Sequence, residues 1–295
     1  MTIIEARDIP TLPLLYKLKK LTAVEDGTNL PGDLVDLDAI PEPSNELNGR
    51  IGYIRSDITK MRVDAIVNAA KQSLLGGGGI DGVIHRNAGP DLVKECRTLG
   101  GCPTGSAKIT DAYQLPCKKV IHTVGPIYSP SSHAACEEKL ASCYATSLAV
   151  AAANGCRTIV FPCVSTGIYG YYSELAAPVA LSAIRKFLVQ DTAHRIDKVV
   201  ICTFEQKDVI AYNKFIPYYF PPQPEDTPSQ KKDGETGDQI APALAQSLAE
   251  ALPSPPTTEP SNPEHVGKKQ KLKQGDETNN ETSPPPQKSR SMLDV

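Results

Sequence analysis

The sequence predicts an α/β fold in which helices cover both faces of a mostly parallel sheet. From residue 51 onward, short β-branched runs alternate with longer segments of helical periodicity. The runs AIV, VIHTV, TIVF and VVIC are apolar on both alternating faces, which is typical of strands buried on both sides. Every aromatic residue lies before position 221, so only the first three quarters of the 295 residues can build a core.

The same patterns give the individual elements. Strands are predicted at the runs IGYIR, VDAIVNA, KKVIHTV, TIVFPCV and KVVICTF, and helices near residues 80–99, 137–154, 174–190 and 206–216. Ligands of such sheets bind at the carboxyl ends of the strands. The loops that follow these runs are therefore the first places to look for a site.

The segments that flank this domain differ from it in composition. Residues 1–49 contain LPLLYKLKKL, whose spacing predicts a helix over Leu12–Leu21, followed by a Gly, Pro and Asp-rich connector, and we expect both to pack on the domain of residues 50–220. Half of the 26 prolines lie in residues 221–295, which contain no aromatic residue. This tail buries too little apolar area to offset its ordering entropy, so we expect it to be disordered.

Two segments of the tail have patterns of their own. Ala243–Leu252 places leucines at four-residue intervals, which indicates either a short helix that folds on a partner protein or a disordered segment. Lysines in GKKQKLKQG resemble a nuclear-import signal, although such runs are also common in solvated tails. The lysines of this segment are Lys268, Lys269, Lys271 and Lys273. We therefore expect a nuclear or cytoplasmic protein.

Charge and cysteine content exclude several classes of protein. Residues 1–220 carry 23 Lys and Arg against 22 Asp and Glu, a net charge of +1, whereas the tail carries 8 against 12, a net charge of −4. A near-neutral domain lacks the basic surface that nucleic acids select, so nucleic acid is an unexpected partner. The first residues, MTIIEARDIP, do not resemble a secretory signal. No apolar run is long enough to span a membrane. We also expect a monomer. The eight cysteines form no CxxC pair, which favours reduced buried thiols over a metal site or disulfides.

Four consecutive glycines interrupt the chain between an apolar run and an amphipathic one. Gly77, Gly79 and Gly82 satisfy G-x-G-x-x-G, but AAKQSLLG separates them from the strand and no acid follows at the end of the next strand, which argues against a nicotinamide-binding fold. Glycines before a helix can expose backbone N–H groups to an anion such as a diphosphate. A flexible surface loop is the competing interpretation. A similar loop, STGIYG, follows TIVFPCV, and its Tyr169 or the next tyrosine, Tyr171, could pack against a sugar.

Together these blocks resemble a known family. SDIT, VDAIVNAA, GGGGIDGVIHRNAGP, TGSAKITDAY, VIHTVGPIY and FPCVSTGIYG are similar, in this order, to the sequence blocks of MacroD-type macrodomains over residues 50–220. The resemblance implies a three-layer α/β/α sandwich around a mixed, largely parallel six-stranded sheet. It further implies binding of ADP-ribose and of mono-ADP-ribosylated proteins, and either removal of mono-ADP-ribose from acidic side chains or deacetylation of O-acetyl-ADP-ribose, without a metal or cofactor.

The resemblance also assigns the ligand-binding residues. Asp57 and Ile58 would hold adenine and Phe204 would pack against it, although a turn cap and core packing are alternative explanations of Asp57 and Phe204. Two loops would hold the diphosphate through backbone N–H groups. Their residues are Gly77, Gly78, Gly79 and Ile80 on one side, and Ser165, Thr166, Gly167, Ile168 and Tyr169 on the other.

The catalytic assignment rests on Asn68 and Asp81. Asn68 matches the first Asn of the family's N-A-A-N tetrad and would bind the distal ribose, and Asp81 would orient or activate water. Asp81 could alternatively be only a helix N-terminal acid. His85 lies one helical turn after Asp81 and either interacts with it or is structural.

Lys71 departs from the family, because it occupies the position of the second Asn of the tetrad. A charged Lys cannot accept a hydrogen bond. Lys71 would pair with Asp81 and lower its pKa, stabilise an anionic part of the ligand, or point to solvent. One alternative to a hydrolase is a non-catalytic reader of ADP-ribose. A second is a scaffold that binds RNA or poly-ADP-ribose through the tail lysines, which the negative net charge of the tail disfavours.

Overall fold

A computed structural model of the chain describes residues 2–24 and 40–224, together with residues 247 and 249. Most of the tail, including the lysine cluster, lies outside the described residues, so the predictions made for it stay predictions. Ser247 and Ala249 are both helical, and Ala249 is fully buried in a hydrophobic cluster that includes Leu12, Leu148 and Leu181. Among the residues that the structure describes, no helix has the length and apolar character needed to cross a membrane.

The predicted α/β fold with a mixed, largely parallel sheet is confirmed. The strands are β1 (Ile4–Glu5), β2 (Ile51–Arg55), β3 (Met61–Arg62), β4 (Ala65–Ala69), β5 (Ala107–Asp111), β6 (Lys119–Thr123), β7 (Thr158–Phe161) and β8 (Lys198–Thr203). The main sheet has six strands in the order β2-β8-β7-β4-β6-β5. Only β5, at one edge, runs antiparallel to its neighbour. β1 and β3 form a separate parallel pair.

Helices cover both faces of the main sheet. They are α1 (Leu12–Lys17), α2 (Asn45–Gly49), α3 (Gly79–Ala88), α4 (Pro90–Thr98), α5 (His133–Ala153), α6 (Ser173–Gln190) and α7 (Gln206–Tyr219). Side chains of α1, α5, α6 and α7 share one hydrophobic cluster, and those of α3 and α4 share a second. On β4, Val67 belongs to the first cluster and Ile66 to the second, as expected of a strand buried on both sides.

The structure differs from the predicted elements at three places. The single helix predicted near residues 80–99 is wrong, because the chain breaks at Gly89, whose φ is 82°, and starts α4 at Pro90. The strand β5 did not appear among the five predicted runs, since most of its side chains are only half-buried and its pattern is not apolar. The predicted N-terminal helix ends at Lys17, and its Leu12 is fully buried.

A buried ion pair secures the start of β2, the strand that leads to the loop carrying Asp57. Arg50 Nη2 lies 2.8 Å from Asp191 Oδ2 and 2.6 Å from the carbonyl oxygen of Ile196. Burial alone would raise the pKa of Asp191, but hydrogen bonds from the backbone N–H groups of Ile196 and Arg195 and from the side chains of Arg195 and Arg50 together lower it. The folded state therefore stabilises the ionised form of Asp191.

Replacing Arg50 by Met should destabilise the domain by about 3–5 kcal/mol, because it leaves the Asp191 carboxylate buried without the buried guanidinium that pairs with it. Urea unfolding measures this loss. Since the folded pKa of Asp191 is lowered, its contribution is present at neutral pH and is lost as pH falls through the folded pKa. The difference between wild type and Arg50→Met should therefore shrink on acidification below about pH 4. A difference that is independent of pH would contradict this account of Asp191.

Candidate active site

A cavity of about 1200 Å³ opens at the carboxyl ends of four strands. The loops after β2, β4, β7 and β8 supply its walls, with the first turns of α3 and α7. This is the position expected for a ligand in an open α/β sheet. The cavity is lined by residues 56–58, 69–71, 77–81, 83, 86, 125, 162–163, 165–169, 202, 204–205 and 207–208.

The glycine loop ends at the amino terminus of α3. Gly77, Gly78 and Gly79 all line the cavity, and the helix begins at Gly79. The backbone N–H groups of a first helical turn have no partner within the helix, so this end can accept an anion. A Cβ at Gly82 would overlap the carbonyl oxygen of Gly77, so the helix can approach the loop this closely only with glycine at position 82.

The second loop faces the first across the cavity. Ile168 is 75% exposed, and its Cδ1 atom would lie only 2.9 Å from a Cβ at Gly78. Ser165 is buried with a φ of 69°, an uncommon left-handed conformation for a serine. Gly125 makes room for it, because a Cβ there would overlap the Ser165 hydroxyl. The two loops therefore form the opposite sides of a narrow cleft.

Of the two tyrosines proposed to pack against a sugar, only Tyr169 lines the cavity. Tyr171 is buried in the first hydrophobic cluster, where its ring lies 4.6 Å from that of Tyr128, so its proposed position is wrong. Burial is the largest cause of the raised pKa of Tyr169, and the charge of Asp81 adds to it. Tyr169 therefore lies within electrostatic range of the predicted catalytic acid.

The two side chains predicted to hold adenine lie at one end of the cavity. Asp57 Oδ1 accepts hydrogen bonds from the backbone N–H and the hydroxyl of Thr59, so this carboxylate does cap a turn. Its Oδ2 atom lies 3.9 Å from Lys60 Nζ and makes no hydrogen bond to any residue that the structure describes, and Asp57 also lines the cavity. Phe204 is 72% exposed, which excludes core packing as the explanation of this aromatic residue. Ile58 lies beside Asp57 in the wall.

Asp81 is a buried carboxylate in the first turn of α3, with only 3% of its surface exposed. Its Oδ1 atom accepts a hydrogen bond of 2.8 Å from Asn68 Nδ2 and lies 3.4 Å from His85 Nε2. Its Oδ2 atom points to the glycine loop, 3.0 Å from where a Cβ of Gly77 would be. An acid that served only the helix dipole would have no need of such buried partners.

Asn68 lies behind the cavity wall. It is fully buried and does not line the cavity, although its neighbours Ala69, Ala70 and Lys71 do. Its Nδ2 atom lies 3.1 Å from His122 Nδ1 in addition to its contact with Asp81. Its Oδ1 atom is buried and has no hydrogen-bond partner among the described residues. Direct binding of a ribose by Asn68 therefore stays a prediction.

Lys71 is exposed at the rim of the cavity. Within residues 2–24 and 40–224 it forms no ion pair, so the pairing with Asp81 considered above is absent from this part of the chain. Burial lowers the pKa of His85; the charge of Lys71 lowers it further, and the charge of Asp81 opposes both effects. Lys71 thus acts electrostatically on His85, the neighbour of Asp81 on α3, from the mouth of the cavity.

Several lining residues were not predicted from the sequence. Lys207 donates a hydrogen bond of 2.7 Å to the carbonyl oxygen of Thr166, and the buried Asp208 accepts one of 2.6 Å from Ser173. Burial raises the pKa of Asp208. Both residues follow the carboxyl end of β8, as Phe204 does, so the same rule applied further along the chain would have found them. Arg86, on α3, is a third unpredicted charged residue.

His85, Cys96 and His122 form a cluster with the ligand types of a transition-metal site. One potential ligand atom from each lies within 4.8 Å of the others, although the residues come from three different elements. The cysteine spacing gave no signal for this cluster. Burial raises the pKa of Cys96 to about 11, and His122 Nε2 already lies 2.9 Å from the hydroxyl of Thr110. Hydrogen bonding therefore accounts for His122 without an ion.

Comparisons with known proteins point to one family. The model of the Macro domain matches residues 67–180. MACROD1 of Bos taurus, named an ADP-ribose glycohydrolase, is 52% identical over 176 residues, which are 60% of this chain and 54% of that protein. A macro domain-containing protein of Chlorobaculum tepidum is 53% identical over 172 residues, which are 58% of this chain and 96% of that protein.

Solved structures agree with this result. The macrodomain of Trypanosoma brucei in complex with ADP-ribose has a TM-score of 0.55 and 35% sequence identity, and the match covers 68% of this chain and 94% of that one. The chain spans about half the length of the curated glycohydrolases that it matches.

Gly82→Ala should displace the glycine loop and destabilise the domain by about 1–3 kcal/mol, because the added methyl group overlaps the Gly77 carbonyl. Urea unfolding measures the stability, and hydrogen exchange measures the amides of residues 76–80. Gly49→Ala is the matched control, since a Cβ at this exposed helical position meets nothing within 4 Å. Equal effects of the two substitutions would refute the close contact between α3 and the loop.

Proposed function

The chain belongs to the macrodomain family, and from this premise we propose that it is an ADP-ribose-binding hydrolase. Its reaction would be removal of mono-ADP-ribose from acidic side chains of proteins, deacetylation of O-acetyl-ADP-ribose, or both. Two curated relatives that are 52% identical to this chain are named ADP-ribose glycohydrolases, which supports this proposal. The relative solved with ADP-ribose supports the choice of ligand.

The observation that carries the proposal is the arrangement of Asp81. A buried carboxylate at the start of a helix, directed at a glycine loop and held from behind by Asn68, is arranged to act on a ligand in the cavity. Because Oδ1 accepts the hydrogen bond from Asn68, Oδ2 is, within the described residues, the atom left to orient a water molecule. The distal ribose would lie next to this atom.

The rest of the cleft fits the parts of ADP-ribose in order. Phe204 offers an exposed ring for adenine, and the free oxygen of Asp57 can accept a hydrogen bond from the adenine amino group. The diphosphate would lie between the glycine loop and the loop of residues 165–169, where backbone N–H groups rather than side chains would bind it. Ile168, which faces Gly78, would cover it.

The proposed reaction is addition of water across an ester bond. Asp81 would orient the water and accept one of its protons while the water oxygen attacks the ribose carbon of the ester, and the bond between that carbon and the carboxylate oxygen of the acidic side chain would break. The products would be a free ADP-ribose hydroxyl and the carboxylic acid of the protein. Asp81 would return its proton to the departing carboxylate. In deacetylation the water oxygen would attack the acetyl carbon, the bond from that carbon to the ribose oxygen would break, and the departing ribose oxygen would take the proton from Asp81 as acetic acid is released.

Lys71 supports a second candidate, a reader that binds ADP-ribose without cleaving it. The family's second tetrad Asn both donates and accepts hydrogen bonds, which a charged Lys cannot do. Adenine and diphosphate binding do not involve position 71, so a reader would keep its affinity. Its hydrolysis would be slow because the distal ribose would be held less firmly.

We further propose a monomer in the nucleus or cytoplasm whose protein partners are mono-ADP-ribosylated chains. The lysines at 268, 269, 271 and 273 support nuclear entry. Their segment lies outside the described residues, so a localisation experiment with these lysines replaced is the direct test.

Asp81→Ala should reduce the release of free ADP-ribose from a protein mono-ADP-ribosylated on Glu or Asp by about 10²–10⁴-fold, the usual contribution of a general base. The full chain is assayed, and ADP-ribose affinity is measured by calorimetry on the same samples. Asp91→Ala, which removes an exposed acid of α4 paired with Lys94, serves as the control and should leave the rate unchanged. Absence of release by a wild-type protein that binds ADP-ribose would replace the hydrolase with the reader.

Lys71→Asn separates the two candidate functions. If the chain is a hydrolase, the substitution should change the rate little, because the partners of Asp81 lie behind the wall and do not include Lys71. A large gain in rate without a gain in affinity would show that Lys71 restrains catalysis and would favour the reader. Lys94→Asn, which changes an exposed lysine away from the cavity, is the matched control.

A further inference from the structure

A chain of buried polar groups extends from Asp81 into the interior of the sheet. Asn68 on β4 and His122 on β6 are register partners in the parallel pair, and Thr110 lies on the next strand, β5. Asn68, Thr110 and His122 are each at most 1% exposed. Such groups are costly to bury unless each hydrogen bond is made, so the direction of every bond in this chain carries information.

The orientation of the Asn68 amide follows from Asp81. Asn68 Nδ2 lies 2.8 Å from Asp81 Oδ1. The opposite orientation would place the amide oxygen of Asn68 at this distance from a carboxylate oxygen, so that two acceptors would repel each other. The same Nδ2 group must then donate its second proton to His122 Nδ1, 3.1 Å away.

The protonation of His122 follows from Asn68. Burial, with a smaller contribution from His85, lowers the pKa of His122 to about 3, so the ring is neutral and carries one proton. Because Nδ1 accepts from Asn68, that proton is on Nε2, which donates to the Thr110 hydroxyl 2.9 Å away. The Thr110 hydroxyl in turn has the carbonyl oxygen of Val120 at 3.5 Å. Asn68 Nδ2 and both ring nitrogens of His122 therefore have defined donor and acceptor roles, and Cys96 Sγ, 3.6 Å away, is a second and longer contact of Nε2.

We propose that His122 is a positioning residue for Asp81, acting through Asn68. The unprotonated Nδ1 atom of His122 holds the Asn68 amide in the one orientation that donates to Asp81 Oδ1 and leaves Oδ2 directed at the glycine loop. His122 touches no ligand, since it does not line the cavity. This inference rests on the proposed hydrolysis for its kinetic consequence, but the hydrogen-bond chain itself does not depend on that reaction.

Two substitutions of similar size isolate the acceptor. His122→Asn keeps an oxygen close to the position of Nδ1, whereas His122→Leu removes the acceptor, and both lose the bond to Thr110. We expect His122→Leu to lower kcat by about tenfold or more with little change in ADP-ribose affinity, because a misoriented base loses part of its contribution. His122→Asn should recover most of kcat. Ser147→Ala, which removes a buried hydroxyl on α5, should leave kcat unchanged.

Nitrogen NMR of the wild-type imidazoles provides a readout that is independent of catalysis. It should show His122 as the neutral tautomer protonated on Nε2. Thr110→Val removes the acceptor of that proton, so a second tautomer should appear and kcat should fall. If His122→Leu fails to fold, this variant still tests the coupling between tautomer and rate.

Three results would overturn the proposal. They are a His122 ring that is charged or protonated on Nδ1 in the wild type, equal losses of kcat in His122→Asn and His122→Leu, and a folded His122→Leu with wild-type kcat. A wild-type protein that hydrolyses nothing but shows the Nε2 tautomer would refute the hydrolase and leave the hydrogen-bond chain in place.

Discussion

Strand β4 lies between β7 and β6, and its pairing with β6 determines where the parts of the site can be. The register sets Asn68 opposite His122 and Ala69 opposite Thr123. One residue later, the Ala70 N–H still donates to the carbonyl oxygen of Thr123, and the chain then leaves the sheet towards the glycine loop. A shift of one residue would move Asn68 to the other face of the sheet and separate it from Asp81.

The buried strands could be predicted from the sequence because nearly all of their side chains are apolar. Parallel strands covered by helices are apolar on both faces, which left a clear pattern in the runs containing β2, β4, β6, β7 and β8. The antiparallel edge strand β5 carries half-buried, partly charged residues, so its pattern resembles that of a loop. The break between α3 and α4 depends on two adjacent residues, Gly89 and Pro90. The amphipathic periodicity continues on both sides of them, so it predicts one long helix.

The site was predictable where the backbone makes the contacts and less so where side chains meet through space. The two loops follow from their glycines and from the strand ends that precede them. The exposure of Phe204 and the burial of Asn68 do not follow from residue type, because they depend on how far the wall extends beyond each strand. His122 gave no signal at all, since one histidine in an apolar run is consistent with many roles. Only the register of β4 and β6 brings it to Asn68.

The arrangement separates the orientation of Asp81 from the charge at the cavity mouth. Asn68 contacts Asp81 from behind the wall, within a hydrogen-bond chain whose members are all buried, and of these members Asp81 is the one that lines the cavity. Lys71 reaches the same region from the exposed rim, and its effect on His85 is electrostatic. Position 71 is therefore separate from the side chain that holds the Asp81 carboxylate from behind. The geometry of Asp81 is accordingly decided in the core, by residues that no ligand needs to touch.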